Sequence, residues 1–243
     1  IVCLCFAMQE EYHALAVAGH RPVAWPTWLG MVLAVPLVAL YGSEMIVPLL
    51  GGVCLLTMIC VVFRDEPRLE DAVLSVLPLF TIVLPGMCIV ALAQVQPKAL
   101  QVVLLSLVFA IPVLGDTMAF FVGSRVRGPK LCPAVSPNKT ISGAVAGLVG
   151  SLVAAAAVGV VSLIFCDQAT LAQLPTWWQY ALLGLVGGVA GQMGDLFASL
   201  VKRHCGIKDF SNLFPGHGGM LDRLDSILFM AVVMICYRLL QGI

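Results

Sequence analysis

A run of charged residues and glycines between residues 199 and 225 is the part of this sequence best suited to chemistry. Lys202 and Arg203 follow an apolar stretch, where a helix end would favour cations, and Asp222 and Asp225 have the i, i+3 spacing that puts two carboxylates on one helix face. Between them, adjacent glycines would leave backbone N–H groups open to phosphate oxygens. We therefore predict a site for a phosphate-rich ligand here. Its other candidate members are Lys208, His217, Gly218, Gly219 and Arg223.

Two more carboxylates interrupt apolar sequence. Asp116 lies nine residues before Arg125, and Asp195 lies seven residues before Lys202. An ionised Asp in an apolar layer costs about 2.5 to 3.5 kcal/mol unless it faces water, a cation or a metal, so both are functional candidates. The alternative is a structural Asp that pairs with a neighbouring helix or stays protonated.

The acidic residues predict a hard cation. A metal between Asp195 and Asp222 would neutralise both carboxylates, with Asp225 and Asp116 as second choices. The nine cysteines stand apart and no Cys or His pair has zinc spacing, so oxygen ligation favours Mg²⁺, with a second cation left open. For His217, the roles of phosphate donor, proton acceptor and structural partner of an Asp stay open. The other histidines, His13, His20 and His204, are predicted to lie at the surface.

A second candidate anion site lies at residues 136–143. Ser136, Lys139 and Thr140 combine hydroxyls and a lysine just before an apolar segment, and free N–H groups at a helix N-terminus suit an anion. Ser-Pro followed by Thr is also an ordinary way to start a helix, so the structural alternative stays open.

The elements that must position these residues are membrane helices. Of 243 residues, 60% are hydrophobic and 11% charged, which excludes an ordinary soluble domain, and a net charge of zero provides no field for nucleic acid. Without period-two alternation, the apolar stretches predict an all-α polytopic helical bundle of seven complete spans. The residues 1–8 are expected to be the remnant of an earlier helix of a truncated N-terminus. The seven spans are placed near 25–41, 45–63, 72–94, 99–123, 141–165, 177–200 and 226–242.

The distribution of cations predicts the orientation. Eleven of the 13 Lys and Arg residues fall in loops on one side, which the positive-inside rule makes cytoplasmic, leaving the C-terminus outside. We expect one polytopic domain over residues 1–243, with a catalytic region formed by 116–143 and 195–225 on the cytoplasmic side. Three pairs of glycines spaced four residues apart predict close helix packing. These pairs are Gly143 with Gly147, Gly184 with Gly188, and Gly187 with Gly191.

The segment from Ser199 to Asp225 resembles the signature of the phosphatidate cytidylyltransferase (CDP-diacylglycerol synthase) family. It reads S-x-x-K-R-x4-K-D-x-S-x2-F-P-x-H-G-G-x-x-D-R-x-D, and the resemblance extends to Gly115-Asp116 and to Ser-Pro-x-Lys-Thr at 136–140. It implies a multi-helix membrane enzyme that makes CDP-diacylglycerol and pyrophosphate from CTP and phosphatidic acid with Mg²⁺. It further implies a homodimer in a bacterial inner membrane whose active site faces the cytoplasm. The chain departs from the family's second segment, S-P-K-K-T-x-E-G, at Asn138 and Ser142.

The implied mechanism is an in-line attack of a phosphatidic acid oxygen on the α-phosphorus of CTP. Metal and cations would neutralise the charge that grows on pyrophosphate. The expected cations are Lys202, Arg203, Lys208 and Arg223. Alternatives are a cytidylyltransferase for another lipid phosphate, a cation or proton transporter, and an inactive scaffold of the same fold.

Overall fold

The computed structural model of this protein describes residues 1–126, 128–216 and 218–242. The described chain forms two compact units. The first unit comprises Ile1–Ala91 and Val201–Leu224, and the second comprises Leu92–Leu200 and Asp225–Ile243. The sequence predicts a single domain over residues 1–243, and this division into two units leaves that as a prediction.

Helices account for most of the described chain. Two short turns of other helix types border the helices named below: a 3₁₀ turn at Ser43–Met45 precedes α3, and a π-helical turn at Leu79–Val83 lies between α4 and α5. The helices are α1 (Val2–Val17), α2 (Trp25–Tyr41), α3 (Ile46–Val62), α4 (Leu69–Pro78), α5 (Leu84–Leu92), α6 (Lys98–Val126), α7 (Ile141–Phe165), α8 (Gln168–Leu171), α9 (Trp177–His204) and α10 (Leu221–Gln241).

Six helical segments are long and apolar enough to cross a membrane, which confirms the all-α polytopic class. At about 1.5 Å per residue, each exceeds or approaches the roughly 30 Å of a hydrocarbon core. All seven predicted spans fall on helices, but α2 has only 17 residues, so the count of seven complete spans is not confirmed. The six are Ser43–Val62, Leu69–Leu92, Lys98–Val126, Ile141–Phe165, Trp177–His204 and Leu221–Gln241. The chain is an integral membrane protein.

In the first unit, α1 and α3 both pack against α4, and α2 packs against α3. Met8, Leu15, Leu79 and Ile82 are fully buried, so the apolar positions of α1 and of the π-helical turn contribute to its core. The expected helix remnant at residues 1–8 belongs to α1, which continues to Val17. The helix therefore extends over Glu10 and Glu11, and both glutamates are buried.

In the second unit, α6 and α7 form the most extensive helix pair in the described chain. A side chain at Gly143 would meet the Ala119 carbonyl oxygen at 2.9 Å, and one at Gly147 would meet the Gly115 carbonyl oxygen at 3.2 Å. On α9, a side chain at Gly184 would lie 3.0 Å from the Leu152 Cα. Helix backbones therefore approach closely where small residues allow it, as the spacing of the glycines predicts.

A short antiparallel β-hairpin precedes α7. It pairs β1 (Lys130–Cys132) with β2 (Ser136–Thr140), with an irregular register between Lys130 and Cys132. The segment 136–140 is therefore a strand rather than the start of a helix, and α7 begins only at Ile141. Thr140 caps α7, because its hydroxyl accepts a hydrogen bond from the Gly143 N–H at 3.1 Å.

Candidate functional site

The second unit contains a cavity of about 750 Å³. Asp116 and the residues three, four and seven positions after it line this cavity, so one face of α6 forms a wall. Gln192 and Asp195, three residues apart on α9, form another wall. The remaining lining residues are Ser124, Gly128, Lys130, Leu131, Asn138, Lys139, Thr140, Gly143 and Ala144.

Lys139 and Asp195 form an ion pair within this cavity. The Lys139 ammonium lies 2.5 Å from a carboxylate oxygen of Asp195, and the two side chains are 27% and 32% exposed. The hairpin thus supplies the cation that compensates the carboxylate on α9, which is a condition under which an ionised Asp is tolerated within apolar sequence. Because both side chains keep some exposure, a ligand in the cavity has access to both charges.

Oxygen donors converge on the same cavity. Asp116 and Asp195 contribute carboxylates, and Asn138 and Gln192 contribute amides. The Gln192 amide N–H donates to the Ala144 carbonyl at 2.9 Å. Carboxylate and amide oxygens are ligands that Mg²⁺ accepts, so the donor set fits the predicted hard cation.

The predicted anion-binding residues of the hairpin divide into two groups. Lys139 and Thr140 line the cavity, whereas Ser136 starts β2 outside the described lining. Asn138, which replaces a lysine of the resembled pattern, also lines the cavity. Ser142 replaces a glutamate of the same pattern, and its hydroxyl oxygen lies 3.1 Å from the hydroxyl oxygen of Thr140.

In the first unit, Asp222 organises the loop 205–220. One of its carboxylate oxygens lies 2.5 Å from the Lys202 ammonium, and the other accepts the N–H groups of Phe210 at 3.0 Å and Gly219 at 2.9 Å. The Asp222 and Lys202 side chains are only 7% and 10% exposed. The pair is therefore largely desolvated, and each charge depends on the other.

The loop adopts a conformation that requires glycine. Gly218 has a φ of +81°, and a Cβ at this position would lie 2.9 Å from an Asp222 carboxylate oxygen. The Gly218 carbonyl accepts the Phe214 N–H at 3.0 Å, which closes the turn. The Lys202 ammonium also lies 5.5 Å from the centre of the Phe210 ring, a cation–π distance. The glycines predicted to expose backbone N–H groups thus also let the loop close around the carboxylate.

Glu10 on α1 is a partner of this loop that the sequence analysis did not identify. Its carboxylate accepts the Ser211 hydroxyl at 2.6 Å and the N–H groups of Met220 at 2.9 Å and Leu221 at 2.8 Å. It is only 7% exposed, and a Cβ at Gly219 would lie 2.6 Å from it. It satisfies two N–H groups near the start of α10, where a negative charge is favourable. A carboxylate within apolar sequence was the signal that could have identified it.

Glu10→Gln is expected to loosen this loop. The amide group would present N–H atoms to N–H or hydroxyl donors, leaving at least one buried group unsatisfied at a cost of about 1 to 3 kcal/mol. The measurement is limited trypsin cleavage at the exposed Lys208 in detergent, which should become several-fold faster. Glu11→Gln is the matched control, because Glu11 is also buried on α1 but accepts from Thr81. Equal cleavage of the two variants would contradict the role assigned to Glu10.

The remaining predicted site residues have varied surroundings. Arg203 donates to the Ile207 carbonyl at 3.0 Å, and Lys208 and Arg223 are exposed. Asp225 is buried and accepts the Ser226 N–H at 2.7 Å. Because Asp195 belongs to the second unit and Asp222 to the first, their common metal stays a prediction. His217 lies outside the described residues.

Comparison with known proteins identifies similar sequences. Three curated relatives are each named phosphatidate cytidylyltransferase. The one from Staphylococcus saprophyticus is 36% identical over 152 residues, which are 63% of this chain and 54% of that protein. The Bacillus subtilis relative is 46% identical over 116 residues, 47% of this chain and 39% of its own length. The Brucella abortus relative is 42% identical over 129 residues, 53% of this chain and 44% of its own length.

The matched part of this chain thus spans about half the length of these relatives or less. A family-level match covers far more of the chain. The sequence model described as the cytidylyltransferase family matches residues 1–240. The matched residues include the apolar helices, the hairpin with Lys139 and the glycine-rich loop. This chain belongs to the cytidylyltransferase family.

Proposed function

We propose that this chain transfers the cytidylyl group of CTP to phosphatidic acid, giving CDP-diacylglycerol and pyrophosphate. The observation that carries the proposal is the cavity of the second unit, in which Asp116, Asp195 and Lys139 share one space. A lysine, together with carboxylates that would hold a divalent cation, suits an anionic headgroup whose acyl chains remain in the hydrocarbon layer. The names of the three relatives support the same reaction.

The reaction asks the protein for positioning and charge compensation. An oxygen of the phosphatidic acid phosphate attacks the α-phosphorus of CTP, a new P–O bond forms, and the bond to pyrophosphate breaks. Charge grows on the departing pyrophosphate, so nearby cations lower the barrier. In the second unit, Lys139 and Lys130 line the cavity. In the first unit, we assign the same task to Lys202, Arg203, Lys208 and Arg223.

We assign Mg²⁺ as the cofactor on the chemistry of the oxygen donors. In the second unit, Asp195 is our first ligand and Asp116 the next, and both line the cavity. Asp222 in the first unit and Asp225 on α10 in the second unit are our further candidate ligands. A divalent ion supplies neutralisation of phosphate charge when bound. Lys139 meanwhile holds Asp195 in place through the 2.5 Å ion pair.

The setting of the enzyme is also proposed. The cation-rich loops favour a cytoplasmic active site in a bacterial inner membrane. The bilayer is then the source of phosphatidic acid, and CTP comes from the cytoplasm. A homodimer is part of the proposal on the resemblance of the sequence, and the mass of the protein–detergent complex tests it.

The purified chain in detergent is expected to convert labelled CTP into lipid-soluble label when given phosphatidic acid and Mg²⁺. EDTA should abolish the conversion, because the phosphate charge would lose its divalent counter-ion, and excess Mg²⁺ should restore it. Pyrophosphate release should match the lipid label one to one. Phosphatidylglycerol, which lacks a phosphate monoester, is the matched control and should give no product. Label transfer that EDTA does not reduce would contradict the role of the metal. Folded protein that transfers no label would contradict the proposed reaction.

A further inference from the structure

Two histidines and a glutamate of the first unit form a cluster that the proposed reaction does not use. His20 lies between α1 and α2, Glu70 lies in the first turn of α4, and His204 ends α9. The Nε2 atoms of His20 and His204 are 3.0 Å apart, and their rings are within 12° of parallel. A Glu70 carboxylate oxygen lies 3.9 Å from Nδ1 of His20. One ligand atom from each residue lies within 4.8 Å of the other two. We call these residues the His20–Glu70–His204 cluster.

The backbone around the cluster is held by buried partners. The Arg21 N–H donates to an Asp71 carboxylate oxygen at 3.0 Å, and the Val23 N–H donates to the Ser75 hydroxyl at 2.7 Å. Asp71 is 4% exposed and Ser75 is fully buried. The residues next to His20 are therefore fixed to the residues next to Glu70. This arrangement lowers the entropy cost of holding Glu70 beside His20.

We propose that the His20–Glu70–His204 cluster binds a transition-metal ion of the Zn²⁺ type. Neutral imidazole is a preferred ligand of Zn²⁺, and two nitrogens at about 2.0 to 2.1 Å from a tetrahedral ion lie roughly 3.4 Å apart. At the observed 3.0 Å the two nitrogens are at hydrogen-bond distance, so binding requires both Nε2 atoms to be unprotonated and the rings to turn apart by about 0.4 Å. Imidazole pairs favour Zn²⁺ over Mg²⁺, so this ion is chemically distinct from the one proposed for the carboxylates.

Glu70 has a defined part in this site. When His20 binds the ion through Nε2, its Nδ1 carries the proton and faces the Glu70 carboxylate. At 3.9 Å this contact is electrostatic and not a hydrogen bond; a carboxylate in this position favours the proton on Nδ1 and increases the basicity of Nε2. His204 supplies the second nitrogen, and its exposure leaves the other coordination positions open to water. Glu70 is thus a positioning residue of the site.

The bound ion would join the loop after α1 to the end of α9. Lys202, two residues before His204, carries the ion pair with Asp222. Occupancy should therefore restrict the start of the loop 205–220. The restriction of the loop is separate from cytidylyl transfer, so the proposed Zn²⁺ site is tested by Zn²⁺ binding and not by activity.

The test is Zn²⁺ binding to the full chain in detergent, after removal of bound metal and with excess Mg²⁺ present to occupy oxygen sites. A chromophoric chelator that competes for Zn²⁺ reports the affinity, and Co²⁺ absorption reports the ligands. We expect one ion per chain, with binding weakened about 100-fold or more in His204→Ala and in His20→Ala. Glu70→Gln, which retains both nitrogens, should weaken it about tenfold. His13→Ala is the matched control, because His13 is exposed on α1 outside the cluster, and it should bind like the unchanged chain.

Zn²⁺ should also raise the melting temperature of the unchanged chain and leave that of the His20→Ala/His204→Ala double variant unaffected. Because His204 and Glu70 are exposed, their single variants keep the test valid if changes at His20 impair folding. Equal Zn²⁺ affinity of the double variant and the unchanged chain would overturn the proposal. Co²⁺–thiolate charge-transfer bands would overturn it as well, since they would assign the ion to cysteines.

Discussion

Asp195→Asn is expected to lower cytidylyl transfer by at least about 10²-fold, the effect typical of removing a key electrostatic group from an active site. The substitution keeps the shape of the side chain but removes the charge that faces Lys139 across 2.5 Å. It also removes one of the two carboxylates that we assign to Mg²⁺ in the cavity. The measurement is the rate of formation of lipid-soluble label from CTP and phosphatidic acid at saturating Mg²⁺.

The melting temperature should change little in the same variant. Lys139 and Asp195 are 27% and 32% exposed, and partly exposed ion pairs contribute only about 0 to 1 kcal/mol. Asp167→Asn is the matched control. Asp167 caps α8, Asn caps helices equally well, and hydrogen bonds from Thr170 lower the pKa of Asp167, so this variant also loses a full charge. Unchanged transfer in Asp195→Asn would remove this carboxylate from the site.

Asp222→Asn is expected to reduce transfer by at least about 10²-fold and, unlike Asp195→Asn, to destabilise the protein. The Lys202 ammonium would lose its partner in a largely buried position, and breaking a buried ion pair from one side costs about 3 to 5 kcal/mol. The Asn amide would also oppose either Lys202 or the N–H groups of Phe210 and Gly219. Transfer rates and melting curves of the same preparation measure both effects.

A double variant separates the two roles of Asp222. Asp222→Asn/Lys202→Met leaves no unpaired buried charge, so it should regain part of the melting temperature. It should not regain transfer, because the carboxylate and the cation assigned to phosphate charge are both absent. Recovered transfer in the double variant would show that Asp222 acts only through the fold of the loop. Full activity of Asp222→Asn alone would remove Asp222 from the metal site.

Hydropathy along the sequence was sufficient to predict the membrane helices. All seven predicted segments are helical, since a run of apolar residues must satisfy its backbone hydrogen bonds internally in lipid. Helix ends were less predictable: α2 has the bounds predicted for it, but α9 continues to His204 instead of ending near residue 200, and α10 begins at Leu221 instead of near residue 226. The hairpin was missed because β1 and β2 are too short to show period-two alternation, and a strand exists only through its partner.

The segments that carry the candidate site were also readable from the sequence. Asp116 and Asp195 were identified by the cost of a charge in an apolar run, and both line one cavity. The prediction did not specify that Lys139 compensates Asp195 or that Lys202 compensates Asp222. Any of several lysines and arginines in the same two loops could have formed these pairs. The choice depends on distances of a few ångströms between elements.

The sequence by itself thus determined the fold class, the family and the two segments rich in charge. Only the tertiary structure decided that Glu10 holds a loop 201 residues away at Ser211, and that His20 meets His204 across 184 residues. The physical reason is that the sequence patterns and the stabilising contacts act over different separations along the chain. Hydropathy and motif spacing act between neighbours in the chain, whereas hydrogen bonds and ion pairs are short-range in space and can join any two residues that packing brings together.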